Sequence, residues 1–402
     1  MIKRSERLNN VSYDLCGPLY EKAKELELEG HRITKLNIGN PAPFGFEAPK
    51  EVVQHVIRNF ANAQGYSDHK GLFSARHAVK RYYREKGIAN ISEEDVYLGN
   101  GLSELIMHAV EALLNAGDEV LVPSPDYPLW TAAVRFAGGK AVHYHCDEEA
   151  NWFPDVQDIK RKITDRTRAL VLINPNNPTG AVYSKEVLQE LVQLAEAENL
   201  VIFSDEIYDK ILYNDTAFTS TATLSESVLF VTFSGLSKNY LAAGFRAGWM
   251  LVSGAKHKAQ EYICGLNILA SLRVCSNVPA QFAIEAALNG QHNIFELTKP
   301  TGRLGIQREI CYEKLTTIPG ITCVKPNGAF YMFPKLDMKQ YNLASDQQLA
   351  LGLLSEQHVL LVPGSGFNYP YHDHFRVVYL PAPEELSQTM DRLQTFFKNH
   401  QQ

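Results

Sequence analysis

The sequence contains few cysteines and little excess charge. Only six of its 402 residues are cysteines, and no two have the C-x-x-C spacing of a redox or zinc motif. Acidic residues number 45 against 39 lysines and arginines, and the formal net charge is −6. Scattered thiols indicate reduced cysteines of a cytoplasmic protein. The charge balance argues against a nucleic-acid-binding surface, which needs clustered positive charge.

Long apolar runs are also lacking. No run approaches the ~18 residues that a helix needs to span a bilayer. The first ten residues, MIKRSERLNN, contain no apolar stretch of the kind found in secretory signals. We therefore expect a cytoplasmic protein with no membrane contact.

The residues that are present suffice for a large core. The hydrophobic fraction is 45%, which favours two lobes in a chain of this length. We predict a helix over 18–30 and an extended linker over 33–49, which together join a small domain. The predicted boundaries are 1–49 for this N-terminal segment, 50–290 for a large domain and 291–402 for a small α+β domain.

Short apolar runs alternate with helical stretches in the predicted large domain. Several runs are apolar on successive residues, which is typical of strands covered on both faces in a parallel α/β sheet. A closed eight-fold barrel is the alternative fold, and the irregular alternation argues against it. The predicted strands are VYLGN, EVLVPSP, KAVHYH, ALVLINP, LVIFSDE, VLFVTFSG and AGWMLV, followed in the last third by AFYMFP, VLLVP and FRVVYLP.

Five of these strands end in residues suited to chemistry. Ligands of open α/β sheets bind beyond the carboxyl ends of the strands. Taken singly, such residues are more often turns, helix caps or solvated side chains, so only their occurrence together at one edge points to a site. In chain order they are the small-residue loop 99–104 at the start of a helix, Tyr127, Asn177, Asp205 with Tyr208, and Lys238.

This combination fits one cofactor chemistry. A lysine that loses its proton easily forms a Schiff base with an aldehyde. Pyridoxal phosphate is an aldehyde that also needs a phosphate cradle, an acid for its ring nitrogen and an aromatic ring. Arg246, eight residues after Lys238, suits the phosphate. Neighbouring cations also lower the pKa of a lysine.

Three segments carry a family resemblance. NPNNPTG, SDEIYDK and SGLSKNYLAAGFRAGW resemble the class I and II aminotransferases of pyridoxal-phosphate fold type I, over nearly the whole chain. VSYDLCGPLYEKAKELELEG, LNIGNPAPFGFEAP and GYSDHKGLFSAR are similar to bacterial glutamate–pyruvate (alanine) aminotransferases. The resemblance implies a mostly parallel α/β sheet in a large cofactor-binding domain. It also implies a homodimer with shared active sites that acts on amino acids and 2-oxo acids.

The resemblance implies a role for each matching residue. Lys238 is similar to the Schiff-base lysine that moves a proton between the substrate Cα and C4′ of the cofactor. Asp205 resembles the acid that keeps the ring nitrogen protonated. Asn177 and Tyr208 resemble the partners of the ring hydroxyl oxygen, and Tyr127 resembles the stacking aromatic.

The remaining roles concern the phosphate and the substrate. Arg376 resembles the bidentate ligand of the substrate α-carboxylate, with Asn177 also beside the substrate. Gly39 and Tyr13 lie in the segment that closes over the substrate in the resembling enzymes. The implied phosphate ligands are Gly101, Leu102, Ser103, Ser237 and Arg246, with Tyr66 contributed by the neighbouring subunit.

Two positions depart from the family pattern. Many relatives have a phosphate-binding serine where this sequence has Gly235, so Ser234 or Ser237 is the candidate replacement. Arg273 lies near the position where some relatives bind a distal carboxylate, but its offset of one residue favours a structural ion pair.

Other functions are weaker interpretations. Neither GNGLSE nor VPGSGFNY completes the G-x-G-x-x-G of a nicotinamide dehydrogenase. The histidines and cysteine of HYHC (143–146), or His372 with His374, suggest zinc, but alternating residues on a strand explain them better and we predict no metal. A regulator would need a DNA-binding module that the short N-terminus does not accommodate. A broad-specificity aminotransferase or a β-eliminating carbon–sulfur lyase on the same fold remains the alternative.

Overall fold

The computed structural model describes residues 2, 3, 5, 8, 17–290 and 294–402. The helices are α1 (Pro18–Leu28), α2 (Lys50–Asn59), α3 (Phe73–Glu85), α4 (Leu102–Glu111), α5 (Pro128–Phe136), α6 (Val156–Lys162), α7 (Lys185–Ala197), α8 (Gln260–Leu272), α9 (Val278–Asn289), α10 (Ile294–Thr298), α11 (Arg303–Thr316), α12 (Asp346–Gln357) and α13 (Pro383–His400). The strands are β1 (Thr34–Lys35), β2 (Val96–Gly99), β3 (Glu119–Ser124), β4 (Lys140–Asp147), β5 (Phe153–Pro154), β6 (Thr167–Ile173), β7 (Val201–Asp205), β8 (Leu229–Gly235), β9 (Gly248–Gly254), β10 (Ile321–Thr322), β11 (Tyr331–Met332), β12 (Lys335–Leu336), β13 (Val359–Leu360), β14 (Val362–Pro363) and β15 (Phe375–Val378).

An eight-stranded sheet dominates the fold. Its strand order is β2-β9-β8-β7-β6-β3-β4-β5. The pairs from β8 through β7, β6 and β3 to β4 are all parallel, whereas β9 and β5 run antiparallel to their neighbours. The prediction of a mostly parallel sheet is therefore confirmed, and the sheet is open instead of closed into a barrel.

Both faces of this sheet are covered, which explains the continuous apolar runs. In β6, Leu170 and Leu172 belong to one hydrophobic cluster, whereas Ala169, Val171 and Ile173 belong to another. Successive side chains of a strand point to opposite faces, so each face receives alternate residues. Helices α3, α7 and α9 contribute to the first cluster, and α4, α5 and α8 to the second. A strand buried on both sides needs apolar residues at every position.

The connection between β8 and β9 is a loop over residues 236–247 that carries both Lys238 and Arg246. A parallel neighbour would need a crossover that carries the chain back to the amino edge of the sheet, usually through a helix. This short connection instead turns back at the carboxyl edge of the sheet, and β9 runs antiparallel to β8. The two cations are held together because one edge loop contains both.

The last third of the chain has its own core. Strand β15 pairs with β11 and β14, and helices α11, α12 and α13 pack around them in a separate hydrophobic cluster. The N-terminal segment joins this part, since β1 pairs in parallel with β13, with Thr34 opposite Val359. These contacts accord with the predicted division at 49 and 290, which stays a prediction. Within the part of the chain that the structure describes, every helix is too short or too polar to cross a membrane.

Candidate active site

A cavity of about 300 Å³ opens at the carboxyl edge of the sheet. The segment 37–39, the loop after β8 and strands β11, β14 and β15 also line it. The predicted site residues that line the cavity are Gly39, Leu102, Ser103, Tyr127, Asn177, Asp205, Tyr208, Ser237, Lys238, Arg246 and Arg376.

Three predicted residues have other positions. Gly101 is not a lining residue but lies against Arg246, which is, and Tyr66 lies on the surface with 86% of its area exposed. Tyr13 falls outside the described residues. The cavity of one chain therefore unites most of the predicted set, while the role of Tyr66 stays a prediction.

Lys238 is a poorly solvated amine. Its Nζ donates a hydrogen bond of 2.5 Å to the carbonyl oxygen of Gly39. Burial, reinforced by the positive charges of Arg376 and Arg246, lowers the pKa of Lys238 from 10.5 to about 7, although Asp205 opposes the shift. The lowered pKa predicted from neighbouring cations is present, but burial is its larger cause. At neutral pH much of this amine is unprotonated.

Asp205 ends β7 as a buried carboxyl group. Oδ2 accepts a hydrogen bond of 3.3 Å from Trp130 Nε1, and Oδ1 accepts one of 3.3 Å from the backbone N–H of Ile207. Burial raises the pKa of Asp205 from 3.8 to about 6, although these bonds and Lys238 oppose it. The carboxylate is thus held in one orientation in a poorly solvated place, where it interacts strongly with any nearby positive charge.

Two phenols meet beside Asp205. The hydroxyl groups of Tyr208 and Tyr331 are 2.7 Å apart, and both residues are buried. Burial, followed by the neighbouring Tyr331, raises the pKa of Tyr208 well above its ordinary value. Tyr208 therefore remains a neutral hydrogen-bond donor at physiological pH.

Arg376 is held by protein contacts on several sides. Nη1 donates to Asn177 Oδ1 at 2.9 Å, and Nη2 donates to the backbone oxygen of Asn37. Its guanidinium carbon lies 4.6 Å from the ring centroid of Tyr331 and 4.7 Å from that of Phe367. Aromatic rings around a guanidinium keep its plane and direction defined. The planar cation is thus oriented beside the cavity before a ligand arrives.

The start of α4 and Arg246 form a part of the cavity wall that suits an anion. Helix α4 begins at Leu102, and the first two residues of this ten-residue helix line the cavity. Free N–H groups at a helix N-terminus attract anions. Arg246 is anchored there, since Nη1 donates to Ala243 O at 2.8 Å and Nη2 to Asn100 O at 3.4 Å. Gly101 has φ +83, a backbone conformation that residues with side chains rarely adopt, so this position favours glycine.

Close packing explains why Gly235 replaces the serine of many relatives. A Cβ at Gly235 would lie 2.8 Å from Ala247 O and 2.9 Å from Gly248 Cα. A serine side chain does not fit between β8 and β9 here. Of the two candidate replacements, Ser237 lines the cavity, whereas Ser234 lies in β8 with its Oγ 3.5 Å from Glu206 O.

Arg273 forms the structural ion pair that its offset predicted. Its Nη1 contacts Glu104 Oε2, and its side chain is only 12% exposed. Among residues 17–290 and 294–402, no group of three or more histidine, cysteine or acidic side chains is placed to hold a metal ion. Instead, His143 bonds to Thr131 at 2.9 Å, and His374 bonds to Asp373 at 2.7 Å.

Several lining residues are not among those predicted from the sequence. Asn37, Ile38, Tyr331 and Phe367 come from segments far from the sheet strands in sequence. Trp130, which orients Asp205, is a core residue of α5. Asn37 belongs to the segment LNIGNP, whose resemblance to the family could have identified it. No local signal distinguishes Tyr331 from any other strand aromatic.

The donor set suits pyridoxal phosphate. A reactive amine, a buried carboxylate, neutral hydrogen-bond donors, and a helix N-terminus beside Arg246 are the groups that an aldehyde, a ring nitrogen, a ring hydroxyl and a phosphate require. The guanidinium of Arg376, which donates to Asn177, suits a carboxylate.

Comparison with known proteins agrees with this geometry. The family described as aminotransferase class I and II matches residues 31–393. A glutamate–pyruvate aminotransferase of Haemophilus influenzae is 56% identical over 402 residues, which is 100% of both chains. The crystal structure of an Escherichia coli aminotransferase superposes with a TM-score of 0.98 at 55% identity and covers 100% of both chains. An alanine aminotransferase from Pyrococcus furiosus superposes with a TM-score of 0.94 at 38% identity, covering 99% of this chain and 100% of its own. The chain belongs to the class I and II aminotransferases, a family of pyridoxal-phosphate enzymes.

Proposed function

We propose that this enzyme exchanges amino groups between alanine with pyruvate and glutamate with 2-oxoglutarate, and that it uses pyridoxal phosphate bound in the cavity described above. The observation that carries the proposal is the convergence of Lys238 Nζ, the Asp205 carboxylate and the Arg376 guanidinium on one cavity. The choice of alanine and glutamate rests on the relative from H. influenzae, which bears that name and is 56% identical over the whole chain.

The cofactor site follows from the donor set. When bound, pyridoxal phosphate supplies an aldehyde for amines and a ring that accepts electrons from the substrate Cα. Leu102, Ser103 and Ser237 bind the phosphate together with Arg246, and the backbone at Gly101 leaves room for that arginine.

The ring is held by a different set of side chains. Asp205 stabilises the protonated ring nitrogen. Asn177 and Tyr208 would bind the ring hydroxyl oxygen, and Tyr127 would contact the ring. All four line the cavity.

Lys238 and Arg376 act on the substrate. With a pKa of about 7, Lys238 Nζ takes a proton from the substrate Cα at neutral pH and returns it on the other side of the exchange. Arg376 binds the α-carboxylate in a bidentate manner and so fixes the Cα–H bond toward the lysine. Gly39 and the rings of Tyr331 and Phe367 shield this reaction from water.

Product analysis tests the activity. Purified enzyme with alanine and 2-oxoglutarate should yield equal amounts of pyruvate and glutamate and no free ammonia. A carbon–sulfur lyase would instead release ammonia, pyruvate and a thiol from a sulfur amino acid. A screen of amino donors, run with 2-oxoglutarate as common acceptor, then separates a specific alanine enzyme from one of broad specificity. Ammonia release with no glutamate would refute the proposal.

We also propose a homodimer in which Tyr66 completes the partner's phosphate site. The segment that carries Tyr66 lies near the end of α8, since Arg273 Nη2 donates to His69 O at 2.9 Å, and both elements expose apolar side chains. Leu272 at that end is 77% exposed and Phe73 is 63% exposed. An exposed apolar patch of this kind is typical of an interface between subunits. A cytoplasmic location stays a prediction alongside it.

Mixed dimers test the shared site. Lys238→Ala and Tyr66→Ala chains, each nearly inactive alone, are co-expressed and purified together. If Tyr66 acts across the interface, each mixed dimer contains one site with both defects and one intact site, so about a quarter of wild-type activity should return. Activity near that of the parents, or a monomer in sedimentation, would refute the shared site.

A further inference from the structure

One segment outside the cavity contacts both the loop at residues 99–103, called the phosphate loop below, and the segment 66–73 that carries Tyr66. The segment runs from Arg273 to Gln281, across the end of α8 and the start of α9. Gln281 Oε1 accepts from the N–H of Leu72 at 2.6 Å, and its Nε2 donates to Ser67 Oγ at 3.1 Å. The N–H of Asn277 donates to Asn100 Oδ1 at 2.9 Å. Three residues spaced four apart thus hold two loops in place.

Arg273 contacts three separate parts of the chain. Its Nη1 donates to Leu98 O at 3.1 Å and to Glu104 Oε2, and its Nη2 donates to His69 O at 2.9 Å. The three acceptors belong to the end of β2, the first turn of α4 and the Tyr66 segment. Planar guanidinium groups can satisfy several acceptors in fixed directions, which an ammonium cannot.

Glu104 connects Arg273 to the phosphate loop. It is the third residue of α4 and directly follows Ser103, which lines the cavity. Its carboxylate accepts from the backbone N–H of Asn100 at 2.8 Å and from Asn100 Nδ2 at 2.9 Å. Asn100 in this loop is therefore held from two sides, by Glu104 from within α4 and by the N–H of Asn277 from the start of α9.

Glu104 also poses an electrostatic problem. A carboxylate in the first turn favours the helix, but it repels a phosphate bound at the same N-terminus. Burial tends to raise the pKa of Glu104, yet the Asn100 hydrogen bonds and Arg273 outweigh it and hold the pKa below its ordinary value. The group is therefore ionised at neutral pH, and Arg273 is its counter-charge.

We propose that Arg273 is a positioning residue for phosphate binding, which holds the 99–103 loop through Glu104 and cancels the charge that Glu104 would otherwise present to the phosphate. The inference rests on the proposed cofactor site. It gives a function to an arginine that does not touch the cavity, and it predicts a defect that depends on the phosphate group of the ligand.

Paired ligands measure this defect. Full-length wild type, Arg273→Gln, Glu104→Gln and the double variant are freed of cofactor and titrated with pyridoxal phosphate and with pyridoxal, which lacks the phosphate. Arg273→Gln should weaken pyridoxal phosphate by about 30-fold, because it leaves a partly buried carboxylate unpaired beside the anion site. Pyridoxal should change by less than about twofold. The double variant should bind pyridoxal phosphate better than Arg273→Gln, since the repelling charge is gone.

Controls separate positioning from simple stability. Arg168 forms a more exposed ion pair with Asp118 at the amino edge of the sheet, 2.9 Å between Nε and Oδ1. Arg168→Gln should leave the ratio of the two affinities unchanged. Arg273→Lys retains the charge and should lose less affinity for pyridoxal phosphate than Arg273→Gln does. If Arg273→Gln does not fold, Arg273→Lys replaces it, and its loss of affinity should be confined to pyridoxal phosphate.

Three results would overturn the inference. Equal losses for both ligands would show a general structural role, and unchanged affinity for both would show no role. If the double variant binds pyridoxal phosphate as weakly as Arg273→Gln does, the charge of Glu104 does not repel the phosphate. If wild type itself does not prefer pyridoxal phosphate to pyridoxal, the phosphate site of the proposed function fails, and that outcome is recognisable without any variant.

Discussion

The two walls of the cavity come from different parts of the chain and carry different chemistry. The sheet wall lies at or after the carboxyl ends of the large sheet's strands and includes Leu102, Ser103, Tyr127, Asn177, Asp205, Tyr208, Ser237, Lys238 and Arg246. The opposite wall comes from the N-terminal segment and the last third of the chain and includes Asn37, Ile38, Gly39, Tyr331, Val362, Phe367 and Arg376. The first contains the groups whose pKa values burial moves toward neutrality. The second places two aromatic rings and the backbone oxygen of Asn37 around one guanidinium.

This difference suggests a division of labour. Lys238 and Asp205 have pKa values of about 7 and about 6, as suits proton transfer and charge stabilisation near neutral pH. Arg376 has an oriented planar fork, which suits recognition of a carboxylate. Variants in the sheet wall should then affect every substrate, whereas variants in the opposite wall should affect only substrates with the recognised group.

The largest effect should result from Lys238→Ala. Loss of the group that moves the Cα proton should lower turnover by about 10³-fold or more for every amino donor. Cofactor should still bind through phosphate and ring contacts, but borohydride should no longer fix it covalently to the chain. Lys185→Ala, at the exposed start of α7, is the matched control and should behave as wild type. Wild-type-like turnover in Lys238→Ala would show that the sheet wall does not supply the group that moves the Cα proton.

Asp205→Ala tests the second group of the sheet wall. Without the carboxylate beside the ring nitrogen, proton abstraction should slow by about 10²- to 10³-fold, since a preorganised charge is lost from a poorly solvated site. Single-turnover rates with deuterated alanine measure this step directly. A cofactor analogue with a permanently methylated ring nitrogen should restore part of the rate. Without any such rescue, Asp205 would be only a buried residue that caps the turn after β7.

Arg376→Lys tests the opposite wall. The charge remains but the planar fork is lost, so kcat/KM should fall by about 10- to 100-fold for all α-amino acids. Amines without a carboxylate should react as slowly as with wild type, and no slower. If such amines lose as much, the substitution has disturbed the sheet wall and the proposed division fails.

The lowered pKa of Lys238 makes the sheet wall sensitive to pH. In the cofactor-free protein the fraction of Lys238 that is unprotonated should rise about tenfold per pH unit up to about pH 7 and level off above it. The rate of reaction with pyridoxal, which has no phosphate to titrate, should show the same curve. An ordinary lysine would keep accelerating toward pH 10. A rate that still climbs tenfold per unit above pH 8 would contradict the burial argument.

The smallest expected effect distinguishes the two serines. Ser237→Ala should weaken pyridoxal phosphate by a few-fold, on the order of one lost hydrogen bond to a charged group. Ser234→Ala should leave affinity unchanged, because its Oγ faces Glu206 O within the sheet. The cofactor dissociation constants of both variants, measured side by side, decide the matter. Equal losses would mean that the β8 strand itself moves.

Much of the sheet wall was predictable from the sequence. Continuous apolar runs such as ALVLI and VLFVTF mark strands buried on both faces, and parallel strands bring their carboxyl ends to one edge. Asn177, Asp205 and Lys238 were therefore expected to lie together, and all three line the cavity. The residues directly after a strand can be read from the local sequence, because the end of an apolar run marks where the strand ends.

The opposite wall depended on contacts that no local pattern records. Tyr331 and Tyr208 lie 123 positions apart, yet their hydroxyl groups touch, because β11 packs over the carboxyl edge of a sheet to which it does not belong. The antiparallel course of β9 was likewise not readable from its apolar pattern, which is the same for both directions. The resemblance alone pointed to Arg376.

The sequence by itself determined the elements, the order of the chemical groups along the chain and the family. Tertiary structure decided the pKa values of those groups. Burial from all sides moves the pKa of Lys238 and of Asp205, and burial is a sum over neighbours distant in sequence. Tertiary structure also decided that Gly235 leaves no room for a serine and that Arg273 supports the phosphate loop from outside, because both depend on which backbone atoms lie close by in space.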